Sequence, residues 1–208
     1  MKRVWVLFVS VLMLFSYCLA QGEKSEKTKA DSKAKTAKAE STEEGETDNA
    51  VGRVLATSMT HVRRMFLPLA DAMPDDKYNF VPTNGEFKGV RSFGEQLKHV
   101  AATNYYYGSL ILGEKPPADT GENGNGPASL KGKREIIEYL GNSFDYVKKA
   151  VATIDEKNMV APIKNPFGQG SATRLAVSNL IIEHSFDHYG QMIEYLRMNG
   201  IVPPASQR

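Results

Sequence analysis

The sequence predicts an all-α fold, a four-helix bundle that occupies the chain from about residue 51 onward. Apolar residues recur at three- and four-residue steps in four long segments, as in amphipathic helices that pack on one another. No segment shows a useful length of the apolar–polar alternation that favours a β-strand. Helices of roughly 20–28 residues would each reach about 30–40 Å, which is typical of a helical bundle.

The first helix is expected to begin near Val51. Its apolar stripe comprises Val51, Val54, Leu55, Met59, Val62, Met65, Phe66, Leu69 and Met73. Pro68 lies inside this stripe, so a kink or an early end is expected there, because proline removes a helical hydrogen bond. Residues 75–91 contain Pro82 and Asn84-Gly85 and are interpreted as a loop.

The second helix has clear signals at both ends. Ser92 and Glu95 form the pattern of a capping box, in which each side chain accepts a hydrogen bond from a free backbone N–H. Gly113 can end the helix, because glycine adopts the left-handed conformation without strain. Residues 114–129 are rich in proline, glycine and asparagine, and should be irregular.

Two further helices are expected, from about Leu130 to Asp155 and from about Ala172 to Asn199. Gly200, followed by two prolines, should stop the last one. The two connections between helices two, three and four have about 16 residues each. At roughly 3.3 Å per residue either could run the length of the bundle, so periodicity leaves the order of the helices open.

The N-terminus is typical of a secretory signal peptide. Two basic residues at positions 2–3 precede an apolar run over residues 4–15, and a small-residue site predicts cleavage after Ala20. An uncleaved membrane anchor is the alternative, although the run is short for a span of roughly 20 residues. Lipidation at Cys18 is a second alternative, which bulky Tyr17 fits poorly. We therefore expect export to the periplasm or the extracellular space, with no stable membrane span after cleavage.

Residues 21–50 contain no aromatic residue and no Val, Ile, Leu or Met. Such a segment cannot bury enough apolar surface to offset the entropy lost on ordering, which predicts a disordered charged linker. An isolated helix rich in Ala, Lys and Glu is the alternative. The expected organisation is thus a signal peptide (1–20), a linker (21–50) and a helical bundle (51–205).

Charge and cysteine content exclude several classes of function. The 26 basic and 24 acidic residues give a net charge of +2, and loss of residues 2–3 with the signal would bring it to zero. This balance gives no support to nucleic-acid binding, which normally needs a basic face. The single cysteine is Cys18, so the mature chain would have neither a disulfide nor a thiol nucleophile.

The four histidines suggest a metal site. His184 and His188 are four residues apart on the predicted fourth helix, so they project from one face a turn apart and could chelate one ion. His99 on the second helix could supply a third imidazole. Three protein ligands would leave a coordination position open, as catalytic zinc sites do. Such a pair is also common on surfaces and in cores, and His61 has no histidine partner at helical spacing.

Two stretches resemble the DinB/YfiT family: RSFGEQLKHVAATNYYYGSLILG and, about 80 residues later, EHSFDHYGQMIEYLRMNGIVPP. The family motif has one histidine in the second helix, which His99 matches. Its fourth helix carries His-x-x-x-His-x-Gly-Gln, which His184, His188, Gly190 and Gln191 match. The resemblance covers about residues 51–205.

The resemblance implies a four-helix bundle with a crossover connection, often a homodimer, that holds one divalent ion of nickel, zinc or iron on the three histidines. Characterised relatives include thiol-dependent S-transferases and a maleylpyruvate isomerase, and most members have no known reaction. This chain departs from the pattern by its export signal. Because low-molecular-weight thiols are cytoplasmic reductants, export weakens the interpretation as a thiol transferase.

Five further residues are candidates for the surroundings of such an ion or for a small-molecule substrate pocket: Asn104, Tyr107, Glu183, Asp187 and Gln191. The carboxylates flank the histidines in sequence but should point about 100° aside on a helix. Asn104 could equally belong to a buried polar network. The favoured hypothesis is a metal-dependent hydrolase or thiol-type transferase. The alternatives are a non-catalytic metal- or ligand-binding module outside the cytoplasm and a structural bundle.

Overall fold

The computed structural model describes residues 49–207, which form four long helices and one short β-hairpin. The helices are α1 (Ala50–Ala72), α2 (Phe93–Leu112), α3 (Lys133–Val151) and α4 (Arg174–Met198). The strands are β1 (Pro162–Lys164) and β2 (Ser171–Thr173), which pair antiparallel between α3 and α4. The predicted signal peptide and nearly all of the predicted linker, residues 1–48, lie outside the described residues.

Helices that are consecutive in sequence are not always neighbours in the bundle. Both α3 and α4 pack against α1 and α2, so α1 lies diagonally opposite α2, and α3 lies opposite α4. The chain therefore crosses the bundle in the connections at 73–92 and 152–173. Of the connections expected to be long enough to run the length of the bundle, the one between α2 and α3 does so. Tyr146, late in α3, donates to Glu114 just beyond the end of α2, so these two neighbours are parallel and the chain returns along the bundle between them. This order makes α2 and α4 neighbours, although a whole helix separates them in sequence.

The predicted ends of α2 are confirmed. The Ser92 hydroxyl accepts a hydrogen bond from the backbone N–H of Glu95, and the Glu95 carboxylate accepts one from the N–H of Ser92 at 2.8 Å. Gly113 closes the helix with a φ of +73°, in the left-handed region. These two caps fix where α2 starts and stops, and thereby the turn on which His99 lies.

The first and third helices differ from the expectation at their ends. The possible early end at Pro68 does not occur, because α1 continues to Ala72. Phe66 and Leu69, on either side of the proline, are fully buried, and this packing holds the last turn in place. The third helix is shorter than expected and ends at Val151, although Ile154 beyond it is still buried.

The β-hairpin is a feature that the sequence did not predict. Its two strands have three residues each and pair Ile163 with Ala172 at their centre. Three residues are too few for an alternating pattern to stand out. Because Ala172 and Thr173 belong to β2, α4 begins at Arg174 rather than at about Ala172. The hydroxyl of Thr173 caps the helix by accepting a hydrogen bond from the N–H of Ala176.

The core consists of two clusters of buried apolar side chains between the helices. In the first, the Phe66 ring contacts those of Phe144 and Tyr189, with centroids 5.3 and 5.4 Å apart. The second includes Met59, Ile111, Val147 and Ile181. Among the described helices none is both long and apolar enough to cross a membrane.

Candidate metal centre

Three histidines converge where α2 packs against α4. His184 and His188 lie one turn apart on α4, and His99 faces them from α2. The Nε2 atom of His184 lies 3.1 Å from Nε2 of His99 and 3.1 Å from Nε2 of His188. One ligand atom from each of the three lies within 4.8 Å of the others, so the group could hold a metal ion. His61, the fourth histidine, is exposed on α1.

The distances and the donor type suit a transition metal. Two nitrogens at about 2.05 Å from one ion, at a tetrahedral angle, are about 3.3 Å apart, and at a right angle they are about 2.9 Å apart. The observed 3.1 Å lies between these values. Imidazole nitrogen is a good ligand for zinc, nickel and iron, so the donors fit the ions implied by the family resemblance without choosing among them.

Burial keeps the three imidazoles neutral. Desolvation, with smaller contributions from the neighbouring imidazoles and from Arg91, lowers the pKa of His184 to about 3 and that of His188 to about 4. The pKa of His99 is lowered as well, again mainly by desolvation. At neutral pH, each ring therefore has one nitrogen lone pair available to a cation.

A loop carbonyl orients His99. The Nδ1 atom of His99 lies 2.7 Å from the carbonyl oxygen of Gly124. Because a carbonyl oxygen can only accept, Nδ1 carries the proton and the Nε2 lone pair points to the other two rings. Such hydrogen bonds from the outer ring nitrogen are the usual way in which proteins orient metal-binding histidines.

The segment that supplies this carbonyl, the glycine-rich loop (residues 119–127), is fixed against α2. The Asn125 side chain accepts two hydrogen bonds from the Arg91 guanidinium, at 3.0 and 2.8 Å. Lys98, which is almost fully buried, donates to the carbonyl of Pro127 at 3.2 Å. Asn123 has a positive φ of 53°, a conformation that asparagine tolerates better than most residues.

His188 is held by side chains. Its Nδ1 atom contacts the amide oxygen of Gln96, a buried residue on α2. The amide nitrogen of Gln96 lies 2.8 Å from the amide oxygen of Gln191, and the amide nitrogen of Gln191 lies 2.9 Å from the carboxylate of Asp187. The sequence singled out Gln191 and Asp187 but missed Gln96. Its position one turn before His99, on the same face of α2, is the signal that could have revealed it.

His184 has the least hydrogen bonding of the three. Its buried Nδ1 atom has no partner among the described residues. Packing orients its ring instead, through edge-on contact with Tyr107, whose centroid is 6.3 Å away.

A cavity of about 350 Å³ opens beside His99. Its wall combines aromatic and neutral polar side chains, including Thr103, Tyr106, Tyr107, Thr120 and Asn123. None of the described residues that line it is an acid, a lysine or an arginine. Tyr107 contacts the His184 ring and also lines this cavity.

Two of the other candidates lie apart from the histidines. The buried Asn104 amide donates to the Ser143 hydroxyl on α3 at 3.1 Å, and that hydroxyl donates to the carbonyl of Leu140. Asn104 thus belongs to a buried polar network, which was the alternative left open by the sequence. Glu183 is exposed on α4.

The fold and the site together define a class of protein: helical bundles with a three-histidine centre between two neighbouring helices. The sequence profile of the DinB superfamily matches residues 58–192. The chain belongs to the DinB superfamily. Among curated protein sequences, none matches this chain.

Solved structures have the same fold. A DinB-like protein from Bacillus subtilis is 18% identical and has a TM-score of 0.56, over 74% of this chain and 99% of that one. A DinB-like protein from Bacillus cereus is 15% identical, with a TM-score of 0.57 over 72% and 93% of the two chains. A conserved protein from Enterococcus faecalis is 16% identical, with a TM-score of 0.56 over 71% and 95%. At these identities the likeness concerns the fold.

Proposed function

We propose that the protein is a metal-dependent enzyme, a hydrolase or a thiol-type transferase, with one divalent ion of zinc, nickel or iron held by His99, His184 and His188. The observation that carries this proposal is the arrangement of the three Nε2 atoms, 3.1 Å from one to the next. Since His99 must be protonated on Nδ1, its Nε2 lone pair faces the Nε2 atoms of the other rings. A cation at their centre removes the repulsion between such lone pairs.

When bound, a divalent ion on three neutral imidazoles supplies Lewis acidity, which lowers the pKa of a coordinated water or thiol and polarises a bound carbonyl. The protein's own contribution is to position the histidines and to shape the space beside them. Gly124 and Gln96 orient the rings of His99 and His188. Burial keeps the imidazoles from being protonated, so that protons do not compete with the metal near pH 7.

The lining of the adjoining cavity favours a substrate with a small, uncharged group. Tyr106 and Tyr107 offer aromatic surface, and Thr103, Thr120 and Asn123 offer neutral hydrogen-bonding groups. Away from the proposed ion, a charged group in this cavity would lose its hydration without gaining an ion pair from the described wall, which costs free energy. A volume of about 350 Å³ is near the lower end of the range for small-molecule pockets.

Elemental analysis of the purified protein tests the metal centre. Wild type and His61→Ala should each contain about one divalent ion per chain, whereas His99→Ala, His184→Ala and His188→Ala should contain little. Circular dichroism of each variant would establish that the helices are retained. Wild-type protein without metal after growth and reconstitution with zinc, nickel or iron would contradict the proposal, as would a His99→Ala variant that retains the ion.

Turnover assays of the metal-loaded protein separate an enzyme from a binding module. Uncharged esters and amides test hydrolysis, and thiols paired with an electrophilic acceptor test transfer. Activity that is lost in His188→Ala and kept in His61→Ala would establish catalysis at this site. Stoichiometric metal without turnover of any of these classes would instead favour the non-catalytic metal-binding module.

We also propose that the protein works outside the cytoplasm, as a homodimer. Export is supported by the signal pattern of residues 1–20, and the dimer by the family resemblance alone. Mass spectrometry of the mature protein should find an N-terminus at Gln21, whereas an intact residue 1 would favour the anchor. Light scattering of the purified domain should give twice the mass of one chain.

A further inference from the structure

We propose that Gln96, Gln191 and Asp187 form a directional hydrogen-bond chain that positions His188, in which the Asp187 carboxylate determines which nitrogen of His188 faces the metal. This inference rests on the proposed function, because it treats His188 as a ligand. It adds a role for three residues that do not touch the ion: they are positioning residues.

The chain connects α4 to α2 and returns to α4. Asp187 accepts from the Gln191 amide nitrogen at 2.9 Å, one turn further along α4. The Gln191 amide oxygen accepts from Gln96 on α2 at 2.8 Å, and the Gln96 oxygen faces Nδ1 of His188. Gln96 is only 2% exposed, and His188 is 7% exposed, so water has little access to the inner end of the chain.

The direction of the chain follows from the chemistry of its outer end. A carboxylate only accepts hydrogen bonds, so Gln191 must turn its NH₂ group toward Asp187. Its carbonyl oxygen then faces Gln96, which must donate through its own NH₂ group. The Gln96 carbonyl oxygen is left for His188, whose Nδ1 must carry the proton. The Nε2 lone pair of His188 therefore points to His99 and His184.

His99 does not need such a device, and Nδ1 of His184 has no hydrogen-bond partner among the described residues. His99 donates to a backbone carbonyl, which cannot exchange its acceptor for a donor. The partner of His188 is a side-chain amide, which could rotate by 180° and present NH₂ instead of oxygen. A rotated Gln96 would place the proton of His188 on Nε2 and so block metal binding. A chain that ends in an acceptor-only group prevents this rotation.

Nitrogen NMR of the metal-free protein tests the direction without involving the ion. In wild-type protein labelled with ¹⁵N-histidine, long-range correlations near pH 7 should show His188 protonated on Nδ1. Asp187→Asn keeps the shape of the side chain but can donate as well as accept, so His188 should become a mixture of the Nδ1–H and Nε2–H forms. Glu183→Gln, a matched change of an exposed carboxylate on α4 outside the chain, should leave His188 unchanged.

Zinc affinity, measured by competition with a chelator, is the second readout. Gln96→Met, which removes both the carbonyl oxygen and the NH₂ of the side-chain amide, should weaken binding by roughly 10–100-fold, the usual effect of losing such a supporting partner. Asp187→Asn should weaken it several-fold, because Asp187 and Gln191 are exposed, and Glu183→Gln should not. If these hydrogen bonds only join α2 to α4, the substitutions would change the free energy of unfolding but would leave His188 protonated on the same nitrogen.

The proposal is overturned if His188 in wild type is protonated on Nε2, or if Asp187→Asn leaves it fully on Nδ1. Asp187→Asn and Glu183→Gln change exposed side chains and should fold. The test therefore does not depend on a substitution of the buried Gln96. If wild type shows the Nδ1–H form and Asp187→Asn the mixture, but neither binds metal, the chain stands and the proposed function fails. The two conclusions are thereby distinguishable.

Discussion

The carbonyl oxygen of Gly124 lies 2.7 Å from the Nδ1 atom of His99. A ring that would belong to a metal centre between two helices is thus oriented by a loop that lies 25 residues further along the chain. Closure of this loop depends on glycine. A Cβ atom on Gly126 would lie 2.8 Å from Cβ of Lys98 and 3.0 Å from its carbonyl oxygen.

We therefore expect Gly126→Ala to displace the glycine-rich loop from α2 and to weaken metal binding. The substitution adds left-handed strain of roughly 1–2 kcal/mol to the steric conflict with Lys98. Gly113→Ala is a matched control, because Gly113 has the same φ of +73° but no atom within 4 Å of an added Cβ. Both variants should lose stability in urea unfolding, but only Gly126→Ala should lose zinc affinity. Equal affinities in the two variants would show that the loop does not support His99.

Removal of the ion should lower the melting temperature. A ligand bound only by the folded state stabilises it by mass action, by about 2.7 kcal/mol at a free concentration 100 times the dissociation constant. Differential scanning calorimetry before and after chelation should show this shift in wild type and in His61→Ala. In His99→Ala, chelation should have little effect, and a full shift in that variant would contradict the assignment of His99.

Gly190→Ala should stabilise the protein. Gly190 matches the glycine of the family motif, yet it lies inside α4 with no atom within 4 Å of an added Cβ. Alanine is favoured over glycine in a helix interior by roughly 0.5–1 kcal/mol, and metal content should not change. Gly108→Ala is the contrast, because its Cβ would lie 2.7 Å from the Tyr146 ring and should force α2 and α3 apart. A loss of stability in Gly190→Ala would count against the packing described for α4.

The Glu95 carboxylate in the cap of α2 should make the free energy of unfolding depend on pH in the acidic range. Hydrogen bonding to the backbone N–H of Ser92 lowers the pKa of Glu95 below its ordinary value of 4.5. Glu95 therefore binds a proton more readily in the unfolded chain than in the folded protein. The stabilisation of the folded state by ionised Glu95 is present above pH 4.5 and is lost as the pH falls through the lowered pKa. Wild type should exceed Glu95→Gln in free energy of unfolding at pH 7, and the difference should shrink toward pH 3. Glu138→Gln, on the exposed side of α3, should show no such change, and a constant difference for Glu95→Gln would refute the prediction.

The sequence alone predicts those features that have a local signature. Ser92, Glu95 and Gly113 mark the ends of α2, because capping requires particular residue types at fixed offsets. The spacing of His184 and His188 places both rings on one face of a helix. The predicted second helix offered His99 as a possible third ligand, but only the family motif tied it to the pair, because nothing local links positions 85 residues apart.

Other features have no such signature. The Gly124 carbonyl orients His99 through a backbone atom that every residue possesses, so no residue type reveals it. Gln96 acts only because α2 and α4 are neighbours, and helical periodicity does not determine which helices are adjacent. The three-residue strands of the hairpin are too short to produce a pattern. For the Gly124 carbonyl and for Gln96, the missing information is long-range packing.

The diagonal placement of consecutive helices gives the histidine centre a particular place in assembly. His99 and His184 come together only when the connection at 152–173 has crossed the bundle and α4 has packed beside α2. A fragment that lacks α4 would hold a single imidazole of the three, so tight zinc binding would report complete topology rather than helix formation. Once bound, an ion would join the two halves of the chain and resist their separation, in the manner of a cross-link that a chelator can remove.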